Sequence, residues 1–381
     1  MTVTRKIGLI LDTSLDPMDG VQQYVVGIGE WLRAQGHDVH YLVGQTEQRQ
    51  LPNIHSLSRN MNVIFNGNRT TIPLPANRRR LQRFIREQNF DVLHVQTPHH
   101  PLMAQHLMRA AGPSTAVVAT FHILPYGRLS RWGNKALAIW LRPSLKRIDT
   151  MVSVSPAAAR FEEASFGLPS AVLPNVVDYR LFHDARPLPQ YNDALPTILF
   201  LGRLVPRKGC LVLLEAVAKL MQNTDVPRFR VVICGKGPME RQLQAAVKEH
   251  GLQEVVEFVG FVPEATKPRY YASADISVFP SSGGESFGIV LLEAMASGRA
   301  AVLAGDNPGY RSVMEPRSEL LFAPTDATAL TQQLRSYLTN ADKRQAAADW
   351  GEAYTTDFDV NTVGRRLETI YEKALRKRRQ P

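Results

Sequence analysis

Apolar residues in this chain fall into short unbroken runs separated by longer amphipathic stretches. Ile7–Leu11, His37–Val43, Val117–Phe121, Thr150–Ser155, Ile198–Leu201, Val231–Cys234, Val256–Phe261, Ile276–Phe279 and Ala300–Ala304 are such runs. Runs this short, with little polar alternation, predict strands covered on both faces, the habit of parallel sheets. Between them lie stretches of helical character: Val21–Gln35 stopped by Gly36, Asp326–Asn340, Ala341–Asp357 and the segment from Val360 onward. Strand, loop, helix, strand is the order of a doubly wound α/β domain, in which ligands bind at the carboxyl ends of strands. Pro-rich residues 185–196 read as a linker. The expected layout is a first domain over 1–185, a second over 186–359 and a closing helix over 360–381.

Composition adds a location for charge. The 381 residues are 44% hydrophobic and 21% charged, ordinary for a globular protein long enough for two cores. The net charge is +10, unevenly placed: residues 1–180 hold 20 Lys and Arg against 12 Asp and Glu, the remainder 25 against 23. The basic half is therefore expected to meet a polyanionic or membrane surface. Nucleic acid is the rival, but no zinc-finger, RRM-like or KH-like pattern supports it, so no nucleic-acid partner is expected. Cys210 and Cys234 set neither a disulfide nor a zinc pattern and fit a reducing, cytoplasmic setting. Residues 1–6 read as leading straight into a strand, so no signal peptide is expected. No apolar run approaches the roughly 20 residues that span a bilayer.

The chief basic cluster is Asn77-Arg78-Arg79-Arg80-Leu81-Gln82-Arg83-Phe84-Ile85-Arg86. Asn77 is placed to cap a helix whose Leu81, Phe84 and Ile85 share a face. Two readings stand open on pattern alone. Either Arg78, Arg79, Arg80, Arg83 and Phe84 lie on anionic lipid headgroups, or the helix is solvated and packs on its own sheet. His122 ends a strand, a position suited to substrate contact.

The densest candidate chemistry is Gly283-Gly284-Glu285-Ser286-Phe287-Gly288. It lies between the strand ending at Phe279 and a helix expected over Ser286–Gly298, with Ser286 as N-cap. That helix carries one charge, Glu293, a buried carboxylate in need of a hydrogen-bonding partner. Glu285 stands at the helix mouth, where free N–H groups favour polar oxygens. Two carboxylates so placed suggest a ligand bearing hydroxyls. With seven residues between them, Glu285 and Glu293 resemble the E-x7-E signature of the retaining glycosyltransferases of family 4. The likeness runs over most of the chain and is nearest to the bacterial phosphatidyl-myo-inositol mannosyltransferases.

This resemblance implies the GT-B fold, two Rossmann-like doubly wound α/β domains facing across a cleft, with the last helix crossing back to the first. It implies that the C-terminal domain holds a nucleotide-diphosphate sugar. Glu285 would lie beside the sugar, with Ser286, Phe287, Gly288 and Ile289 around it and Glu293 on the ribose. Gly235 would approach the nucleotide, and Val262 and Glu264 would contact the base. Arg203 and Lys208 would stabilise the departing diphosphate electrostatically, so neither a metal nor another cofactor is expected. In the N-terminal domain the resemblance places Gly20 near the donor diphosphate. It makes His122 a sugar-contacting or acceptor-positioning residue and puts Gln22, Asn66 and Arg128 on the acceptor. Asn66-Gly67 reads equally well as a tight turn. Basic and aromatic Gly127–Arg147 either extends the acceptor or membrane face or is an ordinary surface helix. For the Arg78–Arg86 helix the resemblance favours membrane contact.

Three positions and one stretch depart from the family pattern: Asp19 replaces a first-loop glycine, Thr13 a tyrosine, Val176 a glycine, and Ile123–Arg128 a Thr/Ser-rich stretch with a lysine. Asp357-Phe358-Asp359 formally matches a metal-binding Asp-x-Asp but reads as a helix stop. The expected activity is retaining transfer of a hexose, mannose from GDP-mannose, to a lipid or glycolipid acceptor such as phosphatidylinositol. The protein would sit peripherally on the inner face of the cell membrane, against its anionic surface. The alternative is a UDP-hexose-dependent transferase acting on another glycolipid or a soluble acceptor. A nucleotide-sugar epimerase is disfavoured by Gly283–Gly288 together with Arg203 and Lys208.

Overall fold

A computed structural model describes residues 3–16, 19–65, 68–124 and 139–379, giving the backbone path alone for 62–65 and 68–73. The chain divides into two compact units, one formed by residues up to Val176 together with those from Val360 onward, the other by Val177–Asp359. The division precedes the Pro-rich stretch 185–196, because Tyr179–His183 already folds as a helix of the second unit.

The first unit contains strands β1 (Lys6–Leu11), β2 (Asp38–Gly44), β3 (Ile54–Ser58), β4 (Asn60–Phe65), β5 (Asn68–Pro73), β6 (Val92–Gln96), β7 (Ala116–Phe121), β8 (Thr150–Ser153) and β9 (Ala171–Val172). Seven of them form a parallel sheet in the order β3-β2-β1-β6-β7-β8-β9; β4 and β5 pair as a separate antiparallel hairpin. Helices α1 (Gly20–Ala34), α2 (Arg78–Gln88), α3 (Met103–Ala110), α4 (described over 139–145) and α5 (Pro156–Phe166) connect the strands. Two buried clusters, one led by Ile7, Leu9 and Tyr24 and the other by Ile10, Leu93 and Leu107, cover opposite faces. That double cover is why the strands read as unbroken apolar runs.

The second unit has β10 (Thr197–Leu201), β11 (Arg230–Cys234), β12 (Val256–Gly260), β13 (Ile276–Phe279), β14 (Ala301–Gly305) and β15 (Leu321–Phe322), a parallel sheet ordered β12-β11-β10-β13-β14-β15. Its helices are α6 (Tyr179–His183), α7 (Cys210–Leu220), α8 (Glu240–Glu249), α9 (Lys267–Ala272), α10 (Ile289–Ala296), α11 (Pro308–Met314), α12 (Ala327–Thr339) and α13 (Ala341–Thr355). The final helix, α14 (Val360–Arg379), packs on α1 in the first unit. Trp31 Nε1 donates to Asn361 Oδ1 at 3.0 Å, and Tyr371 OH meets His94 Nδ1 at 2.7 Å.

In each sheet the winding reverses once, between β1 and β6 and between β10 and β13. Ligands of doubly wound sheets bind beside the carboxyl ends of such a strand pair.

Candidate active site

In the second unit the loops leaving β10 and β13 meet at that reversal. Ser282 N donates to the Arg207 carbonyl at 2.8 Å and Ser281 Oγ to the same oxygen at 3.1 Å, tying the loops together. On this frame Glu285 Oε1 accepts from Arg207 Nη1 at 2.5 Å, Lys208 Nζ at 2.9 Å and Ser281 Oγ at 2.9 Å. Burial pushes the Glu285 carboxyl up, but Lys208 and Arg207 outweigh it and hold the group below the usual range. It is therefore a carboxylate at neutral pH. Arg203, half-buried, follows β10 in the same loop. Arg207 is absent from the sequence-derived candidates; its signal was its place beside Lys208 in a loop already rich in cations.

The helix expected from Ser286 begins instead at Ile289. Gly288 has φ +115°, and a Cβ there would lie 2.6 Å from the Tyr310 ring, so the chain turns sharply before α10. Ser286 belongs to the loop. Phe287 is buried, its ring packed against Phe358, so its backbone is what a ligand can meet. Gly235 (φ +146°) fits the loop after β11 against Gly202, whose carbonyl oxygen would be 1.8 Å from an added Cβ.

Glu293, 3% exposed within α10, finds its partners on α9. Lys267 Nζ donates to Glu293 Oε1 at 2.7 Å and pairs with Glu264 at 2.6 Å, while Tyr271 OH donates to Glu293 Oε2 at 3.1 Å. Burial alone would lower the Lys267 ammonium's pKa, but Glu293 and Glu264 reverse this and keep it protonated. Lys267 escaped the sequence reading because no local pattern links it to Glu293, 26 residues away. The Val262 side chain packs inward and Glu264 is exposed.

The first unit assembles a different kind of site. His122, just beyond β7, donates from Nε2 to Gln96 Oε1 at 2.7 Å, since that amide oxygen can only accept. Nδ1 is thereby left as the basic nitrogen. Burial drives the His122 pKa down to about 3, so the ring is neutral at physiological pH. Tyr24 of α1 stands edge-on to it, 5.0 Å between ring centres. Asp12, directly after β1, is fully buried; Oδ1 accepts from Ala104 N at 2.8 Å and Oδ2 has no partner. Burial raises its pKa to about 7 despite that bond. Gly20 opens α1, and Gln22 Nε2 donates to Ser14 O at 3.2 Å and Thr13 Oγ1 at 3.4 Å, bracing the first loop. Asn66 and Arg128 lie outside the described residues.

Asn77 caps α2 by accepting from Arg80 N, and Arg78, Arg79, Arg80 and Arg83 are exposed. Phe84 corrects the expectation of a lipid-facing ring. It turns inward with Leu81 and Ile85, its ring 4.9 Å from His55 and 6.3 Å from Phe90. Sharing a face with two core residues fixes that direction. Among the described residues no three His, Cys, Asp or Glu are grouped to hold a metal, and no helix is long and apolar enough to cross a membrane.

Residues 18–181 match the model of glycosyltransferase family 4, and residues 185–353 that of glycosyl transferases group 1. The chain is 35% identical over 363 residues to the phosphatidyl-myo-inositol mannosyltransferase of Mycolicibacterium smegmatis, covering 91% of this chain and 90% of that protein. It is 33% identical over 376 residues to the Mycobacterium tuberculosis protein of the same name, covering 96% of each. Among solved structures, a glycosyltransferase from Rickettsia africae superposes with a TM-score of 0.75 at 18% identity, over 98% of this chain and 99% of that one. Anabaena HepE in complex with UDP and glucose gives 0.75 at 18% identity, over 97% and 100%.

Proposed function

The chain belongs to the family 4 glycosyltransferases and has their GT-B fold of two parallel-sheet α/β domains, and on that premise we propose that it transfers mannose from GDP-mannose to a phosphatidylinositol-type lipid. The observation that carries the reading is the pair of charged clusters in the second unit, Arg207–Lys208–Glu285 and Glu264–Lys267–Glu293. They suit the two ends of a sugar nucleotide.

At the sugar end, an incoming diphosphate competes with Glu285 for Arg207 and Lys208. Their transfer to phosphate frees the carboxylate for sugar hydroxyls and neutralises charge on the leaving group. At the nucleoside end, the exposed carboxylate of Glu264 is an acceptor only. Guanine offers adjacent N–H donors there, whereas uracil sets one N–H between two carbonyl oxygens. The Lys267 ammonium beside it suits a base carbonyl. This favours a GDP donor over a UDP donor, as do relatives named GDP-mannose-dependent.

In the reaction the anomeric C–O bond to phosphate breaks and a C–O bond to the acceptor oxygen forms on the same face. The acceptor's proton passes to the departing diphosphate. His122, neutral and braced by Gln96, orients a hydroxyl without attracting a counter-ion. The arginines of α2 hold the protein at the inner face of the membrane, each contributing about 1 kcal/mol against anionic lipid.

The test is GDP or UDP release from GDP-mannose and UDP-glucose, each with and without phosphatidylinositol vesicles. Vesicle-stimulated GDP release is expected, with kcat falling roughly 10²–10³-fold in Lys208→Ala. Turnover of UDP-glucose alone, or no stimulation by vesicles, would sink the reading.

A further inference from the structure

The α2 helix gives the first unit cations but no apolar group directed outward, since Leu81, Phe84 and Ile85 all pack inward. A peripheral protein held by charge alone detaches readily, and stable attachment takes a second, apolar element. That element lies two helices away. In α4, Leu141, Ser144 and Leu145 are buried, while Ile139 is 76% and Trp140 63% exposed, in the same turn as exposed Arg142. An adjacent isoleucine and tryptophan left this open are more than a scattered surface residue.

The two features lie on neighbouring helices. The α2 helix packs on α3. Arg109 belongs to α3, and its Nε donates to Ser144 Oγ of α4 at 2.5 Å. Across the described residues of α2, α3 and α4, Glu87 is the one acidic side chain. The surface thus combines excess positive charge with an exposed indole, the composition that seats a protein at the headgroup level of an anionic bilayer.

We propose that Ile139 and Trp140 insert into an anionic phospholipid bilayer and, with the arginines of α2, form one membrane-docking surface on the first unit. The inference rests on the membrane reading above and adds its apolar anchor.

A Trp140→Cys variant carrying an environment-sensitive fluorophore tests it, because Cys210 and Cys234 are buried and take up little label. The probe is vesicles of phosphatidylglycerol and phosphatidylcholine. Expected are a blue-shifted emission, quenching by bilayer-embedded nitroxide lipid, and vesicle affinity about tenfold weaker in Ile139→Ser/Trp140→Ser with an unchanged melting curve. If the protein sediments with vesicles while the label stays in water, the anchor is refuted and the electrostatic docking stands. If nothing sediments, docking and anchor fail together. Shielding of the label without lipid, rising with protein concentration, would assign the face to a second copy of the chain and overturn the proposal.

Discussion

The two units differ in the polar groups they gather around the carboxyl ends of their strands. The first, with the more basic sequence, collects uncharged histidines: burial holds His94 and His122 at about 3 and His100 at about 4, and pulls His99 well below its ordinary range. The second is nearly balanced in charge yet holds ion pairs, Lys267 buried with Glu293 and Lys208 half-buried with Glu285. The contrast suits the division of labour under the proposed reaction. A diphosphate has to be met by charge, whereas a hydroxyl is best oriented by neutral acceptors in a dry site. Net charge thus informs about a domain's surface and partner, and says little about its interior.

The largest effect should come from breaking the ion pair of the second unit. Lys267→Met strands Glu293 in the interior and is expected to remove about 3–5 kcal/mol of stability, with Glu293→Leu restoring most of it. Denaturant unfolding of both variants checks this. A loss below roughly 1 kcal/mol would mean the pair behaves as a surface bridge.

Acid should then separate the units. The four histidines have folded pKa values below their unfolded value, so the folded state binds fewer protons. Their stabilisation is fully present above about pH 6.5 and drains as pH falls toward the folded values, by up to about 1.4 kcal/mol per group per pH unit. Hydrogen exchange between pH 7 and 4 should show β1, β6 and β7 losing protection before β10 and β13. Equal loss in both sheets would erase the comparison.

The smallest effect refines it from within the first unit. Asp12 has a raised pKa, so its contribution runs the other way: stability falls as pH rises from about 4 to about 7, because the unfolded carboxyl ionises first. Asp12→Asn keeps the acceptor for Ala104 N and should abolish that component, leaving the variant the more stable protein at pH 8 and little different at pH 4. Melting temperatures across that range decide it; parallel curves for the two proteins would show that Asp12 does not titrate there.

The parallel core was readable in the sequence because strands covered on both faces leave unbroken apolar runs, as Ile7–Leu11 and Ile276–Phe279 do. Glu285 and Glu293 were readable for the opposite reason, as charges out of place beside such runs. What escaped depends on contacts that no local pattern encodes. Lys267 serves Glu293 from another helix, and Arg207 reaches Glu285 across 78 residues. Ser286 has the chemistry of an N-cap, yet the positive φ of Gly288 puts the helix start after it. Phe84 lay in an arginine-rich segment, but its spacing from Leu81 and Ile85 decided its direction.

The return of α14 to the first unit has a consequence for synthesis. His94 finds Tyr371 only after 277 further residues have been added, which takes on the order of tens of seconds on a ribosome. Meanwhile the second unit, one continuous segment, has every strand it needs. The unit that is read first is therefore finished last, and until α14 emerges the face of α1 around Trp31 stays uncovered.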